Sequence, residues 1–258
     1  MSATFPLPTA WSEFAWRLRP VRRARLACGG FDEVSENLPE GVRAFVRESY
    51  PRNHTFVPLT DRLVPHRKLA VRVAGLSRYY PTPLTSLLDL SCSKGFFVFH
   101  AAACETCERA LGIDLSDECL NACRLLTAGY GRRERVRFER LTLPELAGNI
   151  REFGGPFQTV LLINTYQYLF FGSTVAPAVG QDHHEIFRLL RAVCAGRLIF
   201  HNRLTLADLQ SDPQERASRA GTGALYHPEA IRKAAEEFFY VTALRRWLGR
   251  PVWLLDAK

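Results

Sequence analysis

Residues 87–99, LLDLSCSKGFFVF, restrict the fold more than any other stretch of this chain. From Thr85 to Leu90 the residues form a short apolar run, which predicts a buried parallel strand. Ser91 to Gly95 are small or polar and predict a tight turn. Phe96, Phe97, Phe99, Ala102 and Ala103 then take up a helical apolar pattern. Strand, small-residue turn and helix make the first half of a nucleotide-binding βαβ unit. The second half follows at Arg109 to Asp114, an apolar strand ending on an acid. A carboxylate there can accept hydrogen bonds from both hydroxyls of a ribose.

The run Asp89-Leu90-Ser91-Cys92-Ser93-Lys94-Gly95 resembles the Asp-x-Gly-x-Gly-x-Gly motif of class I S-adenosylmethionine-dependent methyltransferases, and Asp114 falls where that family keeps its ribose-binding acid. The resemblance runs from about Leu84 to the C-terminus. It implies a Rossmann-like α/β fold, mostly parallel, closed by a C-terminal antiparallel β-hairpin. It implies S-adenosyl-L-methionine as cofactor, with Asp89, Ser91, Ser93, Gly95, Asp114, Leu115, Thr142, Leu143 and Asn164 around it. The sequence departs from the motif at two of its three glycines, which are Ser91 and Ser93. Glycine adopts positive φ and lets a ligand approach the backbone, so the serines predict a loop set further from the cofactor. No Asp stands at the adenine position, so backbone groups of Leu141 to Leu143 are expected to serve it. The region from Leu87 through Leu190 is also faintly similar to tRNA wobble-uridine carboxymethyltransferases, which likewise lack that Asp.

At 258 residues and 47% hydrophobic composition, the chain suits one α/β domain with an extension. We expect residues 1–83 to form a helical extension or lid and 84–258 the cofactor-binding domain. In the extension, Trp11, Phe14 and Trp16 make an imperfect helical patch, and Arg17 to Arg25 alternate basic and apolar residues. Glu40 to Tyr50 predict an amphipathic helix with Val42, Phe45 and Val46 on one face. Pro65 is placed in the first turn of a helix with Leu69, Val73 and Leu76 inward. The extension reads equally as a substrate lid or as simple packing against the sheet. His66, Arg67 and Lys68 read as a solvated helix face or as the rim of the cofactor mouth.

Beyond Asp114, Ser116 is placed to cap a helix over Asp117 to Thr127. Strands are expected at Arg135–Leu141, Phe157–Asn164 and Gly196–Arg203, a helix from Gln181 to Cys194, and a mobile loop over Leu204–Gly223. A last helix ends at Phe238, and Phe239–Trp247 with Pro251–Asp256 form the closing hairpin. Ligands of open α/β sheets sit at the C-terminal ends of the strands. That rule makes Asn164, Tyr166 and Tyr168 the leading catalytic candidates. His183 or His184 is a candidate general base, since imidazole titrates near neutrality, and His201 projects from the same expected edge.

The formal net charge of +8 admits anionic partners such as RNA, nucleotides or acidic metabolites, or simply a basic solvated surface. Thr159 to Phe171, the longest apolar region, is interrupted by Asn164, Thr165 and Gln167 and is too short to span a bilayer. No signal-like segment opens the sequence, so a cytoplasmic protein is expected. Seven cysteines include Cys104, Cys107, Cys119 and Cys123. These four fall at opposite edges of the expected sheet, roughly 17–20 Å apart, so no metal site is expected. The sequence therefore predicts transfer of a methyl group to an oxygen or nitrogen of a small molecule. An RNA-modifying enzyme and a non-catalytic cofactor-binding protein stand as alternatives. A closed apolar cavity beside Asn164–Tyr168 would favour a small acceptor, and an open basic groove a nucleic acid.

Overall fold

In the computed structural model, residues 28–29, 38–59 and 62–258 are described; the expectations for Trp11 to Arg25 fall outside them. The main sheet has seven strands in the order β6-β5-β4-β7-β8-β10-β9. Its parallel part comprises β4 (Ser86–Leu90), β5 (Arg109–Ile113), β6 (Val136–Glu139), β7 (Phe157–Ile163) and β8 (Cys194–His201). β10 (Val252–Ala257) runs antiparallel between β8 and β9 (Phe239–Ala243), giving the expected closing hairpin.

All five residues of β4 are buried, as a strand covered on both faces requires. Side chains alternate between two cores, because successive Cβ atoms of a strand point to opposite faces. Leu87, Leu161, Ile163 and Ile199 join one core. Leu88, Leu90, Val160, Leu162 and Leu198 join the other. The first core is covered by α2 (Arg67–Ser77), α3 (Phe96–Ala102) and α4 (Asp117–Ala128). The second lies under α5 (Leu143–Gly148), α6 (Tyr166–Phe171), α7 (His183–Val193) and α9 (Pro228–Phe238).

Two expectations change. The extension is not purely helical. After α1 (Glu40–Glu48), β2 (Phe56–Pro58) and β3 (Arg62–Pro65) pair antiparallel, and β1 (Cys28–Gly29) joins the far edge of β3. Pro65 thus ends a strand, and the helix begins after it. The stretch expected as a mobile loop contains α8 (Ser211–Ala220), whose Pro213 and Ala217 are buried. No helix among the described residues is long and apolar enough to cross a membrane.

The N-terminal segment docks on the sheet through α2. Gly75 of that helix lies under Trp247, and a Cβ there would come within 2.2 Å of the indole. Trp247 and Arg250 exchange backbone hydrogen bonds across a two-residue turn of Leu248 and Gly249, both at positive φ. Such turns match the twist of a hairpin but favour Asn or Gly at the first position. Leu248 is instead held there, 41% exposed.

Candidate functional site

The turn after β4 follows the glycine-type path despite its serines. Ser91, Ser93 and Gly95 have φ of 74°, 51° and 76°. The two serines thus take the left-handed conformation that glycine ordinarily supplies. The turn is held down by its own amides: Ser91 and Cys92 both donate to the Ile113 carbonyl at 2.9 Å. Ser91 Oγ forms a hydrogen bond with Thr165 Oγ1. At the third position glycine is retained for two reasons. Its φ is left-handed, and a Cβ would lie 2.6 Å from Phe138 Cζ and 2.9 Å from Cys123 Sγ.

Asp114 follows β5 and closes onto this turn. Its Oδ2 accepts from Ser93 N at 2.7 Å, and its Oδ1 accepts from Leu115 N at 2.8 Å and Ser116 N at 3.0 Å. A carboxylate offers about four acceptor positions, so one direction is left for a further donor. Asp89, beneath, is buried. Burial first, and then the Asp114 charge, push its carboxyl up to about 8, so it is largely protonated at neutral pH.

Lys94, inside the motif, is fully enclosed. Its Nζ donates to Ser49 O at 2.8 Å and lies 5.3 Å from the Phe45 ring centre, tying α1 and the chain after it to the turn. Loss of hydration brings its ammonium down to about 8. Sequence reasoning gave Lys94 no role, because a lysine in a turn is ordinarily solvated.

Thr142 and Leu143 lie at the start of α5. The Thr142 side chain accepts from Glu145 N, and Glu145 Oε2 accepts from Thr142 N at 2.7 Å, a capping box. Leu143 turns its side chain into the second core. What they can offer a neighbouring ligand is therefore mainly backbone.

Beyond β7, Asn164 has φ 57°, and its Oδ1 is buried without a hydrogen-bond partner. Thr165 N and Tyr166 N both donate to Asn202 Oδ1, at 2.8 and 3.0 Å, while Asn202 Nδ2 donates to Leu162 O at 2.7 Å. Asn202 thus fixes where α6 begins. Tyr168 is half-buried, with its hydroxyl 2.9 Å from Gln210 Oε1. Its phenol is raised by burial, with Tyr50 and Arg203 among its electrostatic neighbours.

Three catalytic candidates lie elsewhere. Tyr166 is fully buried in the second core, edge-on to Phe200, and its hydroxyl is 2.7 Å from His183 Nδ1. His183 Nε2 is 3.0 Å from the Leu225 carbonyl. A carbonyl only accepts, so Nε2 carries the proton and Nδ1 accepts from Tyr166. With both nitrogens used and burial lowering its pKa, His183 is a structural link and not a base. His201 is enclosed in the first core, its Nε2 2.9 Å from the Trp247 carbonyl. Burial takes it down to about 4, which leaves it neutral. The structure therefore brings Ser91, Ser93, Gly95 and Asp114 together, sets Asn164 and Thr165 beside them, and withdraws Tyr166, His183 and His201. Among the described residues, no group of three or more His, Cys, Asp or Glu is placed to hold a metal ion.

No protein-family model and no curated protein matches this sequence. Solved structures do. The chain is similar to the bifunctional kinase-methyltransferase WbdD, at 18% identity and a TM-score of 0.51, over 72% of this chain and 38% of that one. It is also similar to the PH0226 protein from Pyrococcus horikoshii OT3, at 14% identity and a TM-score of 0.52, over 86% of this chain and 100% of that one. The chain thus spans well under half of WbdD's length. At such identities the likeness concerns the fold alone, a Rossmann-like, mostly parallel sheet with an antiparallel C-terminal hairpin.

Proposed function

We propose that this chain is an S-adenosylmethionine-dependent methyltransferase acting on an oxygen or nitrogen of a small molecule. One observation carries the reading: the turn after β4 takes three left-handed residues in five and is bonded through Ser93 N to the carboxylate that follows β5. A left-handed turn between strand and helix, joined to an acid after the next strand, is the arrangement that seats a nucleoside and its tail in this fold class. WbdD, which shares the fold, is described as a methyltransferase.

The residues present fit that cofactor. Asp114 has one acceptor direction free for a ribose hydroxyl, and a second hydroxyl would compete with Ser93 N. Backbone groups of Leu141 to Leu143 would flank adenine, and Ser91 to Gly95 the amino-acid end. The bound cofactor supplies an electrophilic methyl on a sulfonium. What remains for the protein is to hold an acceptor in line and keep water out. Asn164 Oδ1, buried and unpartnered, is suited to take a hydrogen bond from a bound donor. The raised pKa of Tyr168 keeps its phenol protonated, and its proton is given to Gln210 Oε1, so Tyr168 shapes the site and does not remove a proton. The test is calorimetry with S-adenosylhomocysteine. Asp114→Ala should lose at least tenfold in affinity, and unchanged binding would remove the cofactor assignment.

A further inference from the structure

An open cavity of about 750 Å³ lies between the N-terminal segment and the hairpin turn. Its floor is the first turns of α2, with Arg67, Lys68 and Arg72, and its walls include Arg52, Tyr50 and Leu248. Four of these six residues are cations and none is an acid. None of the four makes an ion pair with a carboxylate of the described residues.

Arg72 is the telling member. It is only 3% exposed. Its Nη1 donates to His54 Nε2 at 2.9 Å, and the Asn53 amide faces the same guanidinium. Arginine has no acceptor, so His54 Nε2 must be the unprotonated nitrogen. Both partners are therefore neutral, and Arg72 Nε is buried with no partner at all. The acid it senses across the first core, Asp89, is mostly protonated. Burying a charge without a counter-charge is strongly unfavourable, and this one lines a cavity. Arg67 and Lys68 add to the mismatch. They open an eleven-residue helix with no acid in its first turn, where the backbone dipole already disfavours cations. A buried guanidinium without a counter-charge and two cations at a helix start thus line one space, and a bound anion would relieve all three charges. The cavity is lined by the N-terminal segment and Leu248 and not by Asn164–Tyr168. Its volume falls within the range of small-molecule sites.

We infer that this cavity is an anion-binding subsite that takes a small molecule bearing a phosphate or carboxylate, with Arg72 at its base and Arg52, Arg67 and Lys68 at its rim. That this anion belongs to the methyl acceptor rests on the methyltransferase reading; the anion site itself does not.

The probe is phenyl phosphate, with benzyl alcohol as its neutral counterpart, titrated calorimetrically into the full chain at fixed ionic strength, with and without S-adenosylhomocysteine. Phenyl phosphate should bind at least tenfold more tightly than benzyl alcohol. The exposed-site variants Arg67→Gln and Lys68→Gln should each weaken it about fivefold or more while leaving S-adenosylhomocysteine affinity unchanged. Arg72→Met tests the buried group, with Arg72→Lys as the variant that keeps the charge and should partly restore binding. Equal affinity for the two probes, or unaltered phenyl phosphate binding in both rim variants, overturns the inference. Mutually exclusive binding of phenyl phosphate and S-adenosylhomocysteine overturns the acceptor assignment and makes the anion the cofactor's own carboxylate. Displacement of phenyl phosphate by an RNA oligonucleotide with a steep salt dependence overturns the small-molecule class. If S-adenosylhomocysteine fails to bind while phenyl phosphate binds through these residues, the anion site stands and the cofactor reading falls.

Discussion

Gly95→Ala isolates why one motif glycine survives while two have become serine. A left-handed non-glycine residue costs roughly 1–2 kcal/mol. The new methyl would also sit 2.6 Å from Phe138 Cζ and 2.9 Å from Cys123 Sγ, inside contact distance on two sides. Overpacking of that kind costs typically about 1–3 kcal/mol. The sum is about 2–5 kcal/mol, a large share of the stability of an ordinary domain. Ser93→Gly is the control. It relieves a left-handed residue but adds chain entropy to the unfolded state, and the two nearly cancel, at about 1 kcal/mol each. Urea unfolding followed by circular dichroism measures both, provided the slope is unchanged. Combining Gly95→Ala with Phe138→Leu separates the parts: the steric share should shrink and the backbone share persist. A loss under about 1 kcal/mol for Gly95→Ala, or no coupling to position 138, would refute the account.

Two further outcomes follow from burial. Asp89 binds its proton in the folded state up to about pH 8 but in the unfolded chain only to about 4, so its ionisation removes stability as pH rises between those values. Asp89→Asn should therefore gain on the wild type by up to about 1.4 kcal/mol per pH unit from pH 6 to 8; a difference in urea midpoint that stays constant with pH contradicts this. His100 and His201, both taken down to about 4 by burial, act in the lower part of that window and in the opposite sense: the unfolded chain binds protons that the folded chain refuses, so their contribution to stability falls as pH drops from 6.5 to 4. Asn202→Ala should cost about 1–3 kcal/mol in thermal or urea unfolding, because Thr165 N and Tyr166 N lose their shared acceptor; a neutral effect would mean that α6 starts without it.

The sheet could be read from the sequence because its strands are short apolar runs separated by helical patterns, and the closing hairpin is marked by Gly249. The small N-terminal sheet could not, since β2 and β3 each end in proline and span three or four residues, too few to show a period. His183, His201 and Tyr166 are core residues, and the sequence carries the signal for it. His183 lies three and seven residues before Ile186 and Leu190, on the same buried stripe of α7. His201 shares its strand face with Ile199, and Tyr166 lies one helical turn from Phe170. Phase along the element outweighed position at the sheet edge. Arg72 was hidden for the opposite reason: it falls between inward residues of α2, and only the tertiary fold shows that no carboxylate meets it.

The hydroxyl contact between Ser91 and Thr165 has a consequence for how the molecule breathes. A glycine at 91 would leave the turn after β4 and the start of α6 as separate units, each able to open alone. With serine, opening either end breaks a bond held by the other, so the amides of the two loops are expected to exchange more nearly together than in Ser91→Gly, as hydrogen exchange would show. The side chain that makes the turn harder to form thus also couples the loop that would hold the cofactor to the loop that would face the acceptor.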